Sequence, residues 1–148
     1  MSIEICSERD LSAPAAAVWA LIGDFAAVDA WMPGVRVVAV ERYDGVERRT
    51  CDTALGRFRE QAVALGAMSC TYVITDGPLP VSNYEATLAV VGRPDARQCK
   101  VVWRSTFSPR PETGETDARR LVEGIHRAGL GALVKRFGAS ASVRDGRG

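Results

Sequence analysis

Three polar side chains in this sequence have both the chemistry and the surroundings to act on a small molecule. Glu60, in Arg57-Phe58-Arg59-Glu60-Gln61-Ala62, shares strand parity with Phe58, Ala62 and Ala64. A carboxylate on the inner face of a sheet can take a proton from an acidic C–H or orient a ligand hydroxyl. Arg49 has the parity of Cys51 and Thr53, so it can meet Glu60 across a hairpin or hold a ligand carboxylate. Both residues equally suit a solvated convex face with cross-strand ion pairs. Charges fall on both parities of strand 57–65, so alternation does not choose its inner face. His126, the only histidine, lies one turn after Val122 and one turn before Leu130. There it can enter a cavity as a general base or hydrogen-bond donor, or be an ordinary packed histidine.

Aromatic residues supply the walls such chemistry would need. Val101, Trp103, Ser105 and Phe107 share one face of a strand; Tyr84, Ala86, Leu88 and Val90 share another; Met68, Cys70, Tyr72 and Ile74 share a third. Trp103, Tyr84, Tyr72 and Phe107 are candidate cavity walls, with the tyrosine hydroxyls as anchors, or plain core against a helix. Gly124, Gly129 and Gly131 fall in a helical stretch that also carries Leu133, and each glycine costs about 1 kcal/mol there relative to alanine. They signal close approach of the sheet or room left for a ligand. Gly129 and Leu133 join the candidate ligand-binding set.

The elements that position these residues follow from periodicity and punctuation. Alternation predicts a first strand from Ile3 to about Leu11, with Ile3, Ile5 and Ser7 opposed to Glu4, Cys6 and Glu8. Ser12 is a candidate N-cap and Pro14 a first-turn residue for a short helix whose apolar face is Val18, Leu21, Ile22 and Phe25. Gly23-Asp24 interrupts it, and Trp31-Met32-Pro33 forces an extended turn. Strands are then predicted over Val35–Tyr43, Val46–Thr53, Arg57–Leu65, Met68–Thr75, Ser82–Val91 and Cys99–Phe107. Asp44-Gly45 marks a two-residue hairpin between the first two of these. From about Thr113 the period turns helical, with acidic residues at the start, Lys135 and Arg136 at the end, and Gly138 as the stop. This order predicts an α+β domain over 1–138: a curved, seven-stranded antiparallel sheet wrapped around a long C-terminal helix, with two short helices after strand 1. Residues 139–148 are expected to be a flexible tail.

Composition narrows the partners. A net charge of +1, with scattered arginines and no basic–aromatic run, argues against nucleic acid. No apolar stretch reaches membrane-spanning length, and Met1 to Ile5 lack signal-peptide character, which predicts a cytoplasmic protein. The four separated cysteines are expected to be buried, reduced thiols, and with one histidine they form no metal motif. No nucleophilic triad, phosphate loop or dinucleotide fingerprint occurs, so neither a metal nor a cofactor is expected. The expected partner is a small hydrophobic molecule, and the expected state a monomer or homodimer.

Several segments taken together carry a family resemblance: Ala13-Pro14 with Val18-Trp19, Gly23-Asp24-Phe25, Trp31-Met32-Pro33, Ser69-Cys70-Thr71-Tyr72, Gly77-Pro78-Leu79-Pro80-Val81, Tyr84-Glu85-Ala86-Thr87, Val102-Trp103 and Ala128-Gly129-Leu130. Their order resembles the START-like, helix-grip superfamily that includes the birch-pollen allergen fold, and most nearly its bacterial polyketide cyclase/dehydrase and lipid-transport branch. The resemblance implies a hydrophobic cavity between sheet and terminal helix. It implies binding of a small hydrophobic, aromatic or polyketide-like ligand, or alternatively a cofactor-independent cyclase/dehydratase in which Glu60, a tyrosine or His126 moves a proton. It also makes Trp31 a candidate gate at one end of the sheet.

Overall fold

The hairpin at Asp44-Gly45 sets the register of the sheet. Both residues take positive φ, 53° and 74°, as a two-residue turn matched to strand twist requires. It joins β2 (Arg36–Tyr43) to β3 (Val46–Thr53), and the chain then runs as a meander through β4 (Gly56–Gly66), β5 (Ser69–Asp76), β6 (Val81–Gly92) and β7 (Cys99–Pro109). The computed structural model describes residues 2–140. β1 (Ile3–Leu11) pairs antiparallel with β7, giving the order β1-β7-β6-β5-β4-β3-β2. Between β1 and β2 lie α1 (Ala15–Ile22) and a 3-10 segment (Phe25–Ala30); α2 (Glu115–Phe137) closes the fold. The α+β helix-grip architecture is therefore as the periodicity predicts.

The start of α1 departs from expectation. Pro14, not Ser12, occupies the N-cap position, and no side chain caps the helix. Ser12 turns instead to the end of the chain: its N–H donates to the Gly138 carbonyl at 2.9 Å and its hydroxyl to that of Ala139 at 3.0 Å. Ala139 bridges to Leu11 and the Ser140 N–H donates to Asp10, so residues 139–140 are docked on β1 rather than loose. The rest of the expected tail, 141–148, lies outside the described residues. The 3-10 segment, by contrast, is capped: Asp24 accepts from the Ala26 N–H at its start. Cys6 is the one cysteine that is exposed, because alternation along β1 sends Ile3 and Ile5 inward and Cys6 outward.

α2 carries two stripes, which the sequence pattern merges into one broad apolar face. Ala118, Val122, His126, Gly129, Leu130 and Leu133 are buried. Leu121, Gly124, Ile125 and Ala128, at i, i+3, i+4 and i+7, instead line a hollow beneath the sheet.

Candidate functional site: an apolar cavity with a buried ion pair

That hollow has a volume of about 340 Å³. Its walls come from the concave side of the sheet (Cys51, Phe58, Cys70, Tyr72, Tyr84, Leu88, Trp103), from α2, and from the segment Phe25–Val35. The lining residues that also reach solvent are Pro33 and Gly34, Ala54 and Leu55, and Ala128. They place the mouth between the turn after Trp31, the β3–β4 hairpin and the middle of α2.

Of the residues singled out in the sequence, Trp31, Arg49, Glu60, Tyr72, Tyr84 and Trp103 line the cavity. Phe107, His126, Gly129 and Leu133 do not. Phe107 stacks beneath Tyr84, with ring centroids 6.1 Å apart. Leu133 is buried against the far side of Trp31, bordering a separate shallow depression with Ala30 and Ala132. His126 lies 100° round the helix from Ile125 and so points into the β1–β7 layer rather than the hollow. Strand parity placed Tyr72, Tyr84 and Trp103 correctly but does not separate them from Phe107, and it says nothing about the loop 32–35 or the hairpin tip at Leu55. Only the Trp-x-Pro turn hinted at the former.

Arg49 and Glu60 face each other across β3 and β4, which settles the inner parity of the charged strand. Phe58 and Glu60 turn inward and Arg57 outward. Val63 to Leu65 are exposed beyond a register shift between Ala62 and Ala64, so Ala64 leaves the inner face that alternation assigned it. The Arg49 Nε donates to Glu60 Oε1 at 2.8 Å and its Nη1 donates to the Phe25 carbonyl at 2.9 Å. Its guanidinium lies 4.0 Å from the centroid of the Phe25 ring and 5.1 Å from that of Tyr72. The two side chains are only 7% and 12% exposed. Burial alone would lower the guanidinium's pKa, but the charge of Glu60 and the neighbouring Tyr72 outweigh it and hold the pKa above its ordinary value. One arginine thus ties β3, β4 and the 3-10 segment together at the cavity wall.

The remaining polar groups are neutral. Burial pushes the Cys51 thiol up to about 11 and raises Cys70. Burial raises the Tyr72 hydroxyl well above its ordinary value and Tyr84 to about 12, against the opposing effect of a hydrogen bond to Ser105. Trp31 meets Trp103 edge-on, centroids 5.9 Å apart, and both indole N–H groups are buried without a hydrogen-bond partner. The Trp103 N–H sits beside the Tyr72 hydroxyl but outside hydrogen-bonding geometry. Behind this wall His126 stacks on Trp103, centroids 4.7 Å apart, held by Ser7 at 2.9 Å and Ser105 at 2.8 Å. Neither serine was singled out as a site residue; the available signal was their inward parity on β1 and β7. Among the described residues no cluster of side chains is suited to a metal ion, and no helix is long and apolar enough to cross a membrane.

The helical glycines divide by what a side chain would meet. A Cβ on Gly124 would enter open space at the cavity, whereas one on Gly129 would come within 2.6 Å of Trp103, 2.8 Å of the Met32 sulfur and 3.1 Å of Trp31. Gly124→Ala is expected to raise stability by up to about 1 kcal/mol. Gly129→Ala is expected to lower it by about 1–3 kcal/mol despite the gain in helix propensity. Urea midpoints for the two variants check this; equal shifts would refute the assignment of Gly129 to close packing.

Comparison with known proteins agrees with this architecture. No curated protein matches the chain. Among solved structures, the protein XoxI from Bacillus cereus is similar, with 27% identity and a TM-score of 0.81 over 90% of this chain and 94% of its own. The Zhui aromatase/cyclase from a Streptomyces species shares the fold at 15% identity and a TM-score of 0.75, covering 92% of this chain and 93% of its own. A START superfamily protein from Mycobacterium smegmatis does so at 12% identity and 0.72, over 90% and 96%. A family model described as polyketide cyclase/dehydrase and lipid transport matches residues 2–138. With a match that spans the sheet, the cavity and the helix it grips, the chain belongs to the polyketide cyclase/dehydrase and lipid-transport family.

Proposed function

We propose that the cavity binds one small, flat, largely apolar molecule bearing an acceptor oxygen, and that binding rather than turnover is its task. The observation that carries this is the pairing or neutrality of the polar lining. Arg49 is held by Glu60, the Cys51 thiol and the Tyr72 and Tyr84 hydroxyls are protonated at neutral pH, and the rest of the surface is apolar. A volume of about 340 Å³ lies near the low end of small-molecule pockets and suits a compact ring system better than a long acyl chain. The neutral Tyr72 hydroxyl at the cavity wall favours an oxygen acceptor, because a buried donor gains from a partner that a ligand can supply.

A second reading, proton transfer in a cyclase/dehydratase, is favoured by the convergence of Glu60, Tyr72 and Tyr84 on one cavity. In that reading Glu60 takes the proton on Oε2 while Arg49 holds Oε1, which leaves the buried guanidinium without its counter-charge, so the binding reading is preferred. The test is titration with 2-acetonaphthone, a flat aromatic ketone, followed by tryptophan fluorescence. Trp31 and Trp103 are in the wall, so saturable quenching at one equivalent is expected, and Gly124→Phe, whose side chain fills the hollow, is expected to abolish it. Quenching that never saturates, or that survives in Gly124→Phe, would overturn the reading.

A further inference from the structure

Behind the cavity wall runs an unbroken row of hydrogen bonds. Ser7 Oγ lies 2.9 Å from His126 Nδ1, His126 Nε2 lies 2.8 Å from Ser105 Oγ, and Ser105 Oγ lies 2.8 Å from the Tyr84 hydroxyl. Tyr84 is the member that lines the cavity, with the Tyr72 hydroxyl beside it. Ser105 is fully buried and His126 is 1% exposed. Burial pushes the imidazole down to about 4, so at neutral pH it carries one N–H and one lone pair.

This makes the row directional. With the proton on Nδ1, Ser105 must donate to Nε2, and the Tyr84 proton is then used on Ser105; Tyr84 shows the cavity only lone pairs. With the proton on Nε2, His126 donates to Ser105, whose own proton goes to the Tyr84 oxygen. The Tyr84 proton is then free for an acceptor on the cavity side, where the Tyr72 hydroxyl also lies. The mixed arrangement leaves the buried Ser105 proton without an acceptor and is disfavoured.

We propose that His126 is a positioning residue whose tautomer decides whether Tyr84 offers the ligand a proton or a lone pair, so that a carbonyl ligand selects the Nε2–H form. The proposal rests on the binding reading above for its ligand, but the coupling itself resides in the free protein.

The experiment reads the ring nitrogens of the single histidine by long-range proton–nitrogen NMR in protein labelled with 15N-histidine. Two conservative variants are expected to move the tautomer ratio in opposite directions. Ser7→Ala removes the partner of Nδ1, and since an orphaned buried N–H is disfavoured more than an orphaned lone pair, the ratio shifts about tenfold toward Nε2–H. Tyr84→Phe removes the acceptor of the Ser105 proton, which then turns to Nε2 and drives a similar shift toward Nδ1–H. Adding 2-acetonaphthone to the unaltered protein shifts the ratio toward Nε2–H, while naphthalene, of the same shape but without an oxygen, leaves it unchanged. Variant shifts in the same direction, or none, overturn the coupling. A ketone that binds without moving the ratio overturns the role in ligand selection. If neither aromatic binds, the binding reading fails and the ligand-selection proposal with it, and the opposed variant shifts then count for the coupling alone.

Discussion

Glu60→Ala is expected to destabilise the protein by about 3–5 kcal/mol, the largest effect of a single substitution that the structure supports. The magnitude comes from what is left behind. Arg49 stays charged and nine-tenths enclosed, with Nη1 on the Phe25 carbonyl and its face on two rings, while its ion partner is gone. Glu60→Gln keeps a hydrogen-bond acceptor for the Arg49 Nε and should lose less. The double variant Arg49→Met/Glu60→Leu should be less destabilised than Glu60→Ala, because removing both charges removes the desolvation penalty with the attraction. Urea unfolding with a common slope would give the coupling. Effects of the two sites that add to within about 0.5 kcal/mol would show that the pair is not a unit.

The second large effect is a pH dependence. His126 falls from an ordinary 6.5 to about 4 in the folded protein, with desolvation as the cause. The groups packed on it are the hydroxyls of Ser7 and Ser105 and the Trp103 ring, none of which carries a negative charge to offset that burial. Below 6.5 the unfolded chain takes up a proton that the folded chain refuses until about pH 4, so stability is lost as the pH falls through that window. The full loss is about 3 kcal/mol. His126→Gln keeps a donor and an acceptor but cannot titrate. Unfolding measured at pH 7.0 and 4.5 should therefore fall steeply in the native protein and much less in the variant; parallel curves would refute the assignment.

Much of this was legible in the sequence, and the parts that were not share a cause. Strand parity placed Tyr72, Tyr84 and Trp103 on the inner face because their neighbours alternate cleanly, and the Asp44-Gly45 turn fixed one register. Strand 57–65 carries charge on both faces, so its inner parity became clear only once Arg49 was opposite Glu60. In α2 the ambiguity was angular. Apolar and small residues cover more than one stripe, and nothing in their identity separates Gly124, which faces space, from Gly129, which faces two indoles and a sulfur. His126 was visible as a candidate for the cavity, yet its real partners were serines, residues whose small hydroxyls give little periodic signal. Ser12 illustrates a third cause: a good N-cap residue was diverted by the returning end of the chain, a contact between positions far apart in sequence.

The position of β1 in the sheet also governs the order in which the molecule can assemble. Among the described residues its only strand partner is β7, so Ile3 must find Phe107 and Leu11 must find Cys99, whereas β2 to β7 pair through short hairpins with their sequence neighbours. Local pairings form early and long loop closures late. During synthesis the first strand made is thus the last to be seated, and it waits for a partner edge made about a hundred residues later. Ser7 travels with β1 and His126 with α2, so the row of hydrogen bonds from Ser7 to Tyr84 is completed only when both have docked.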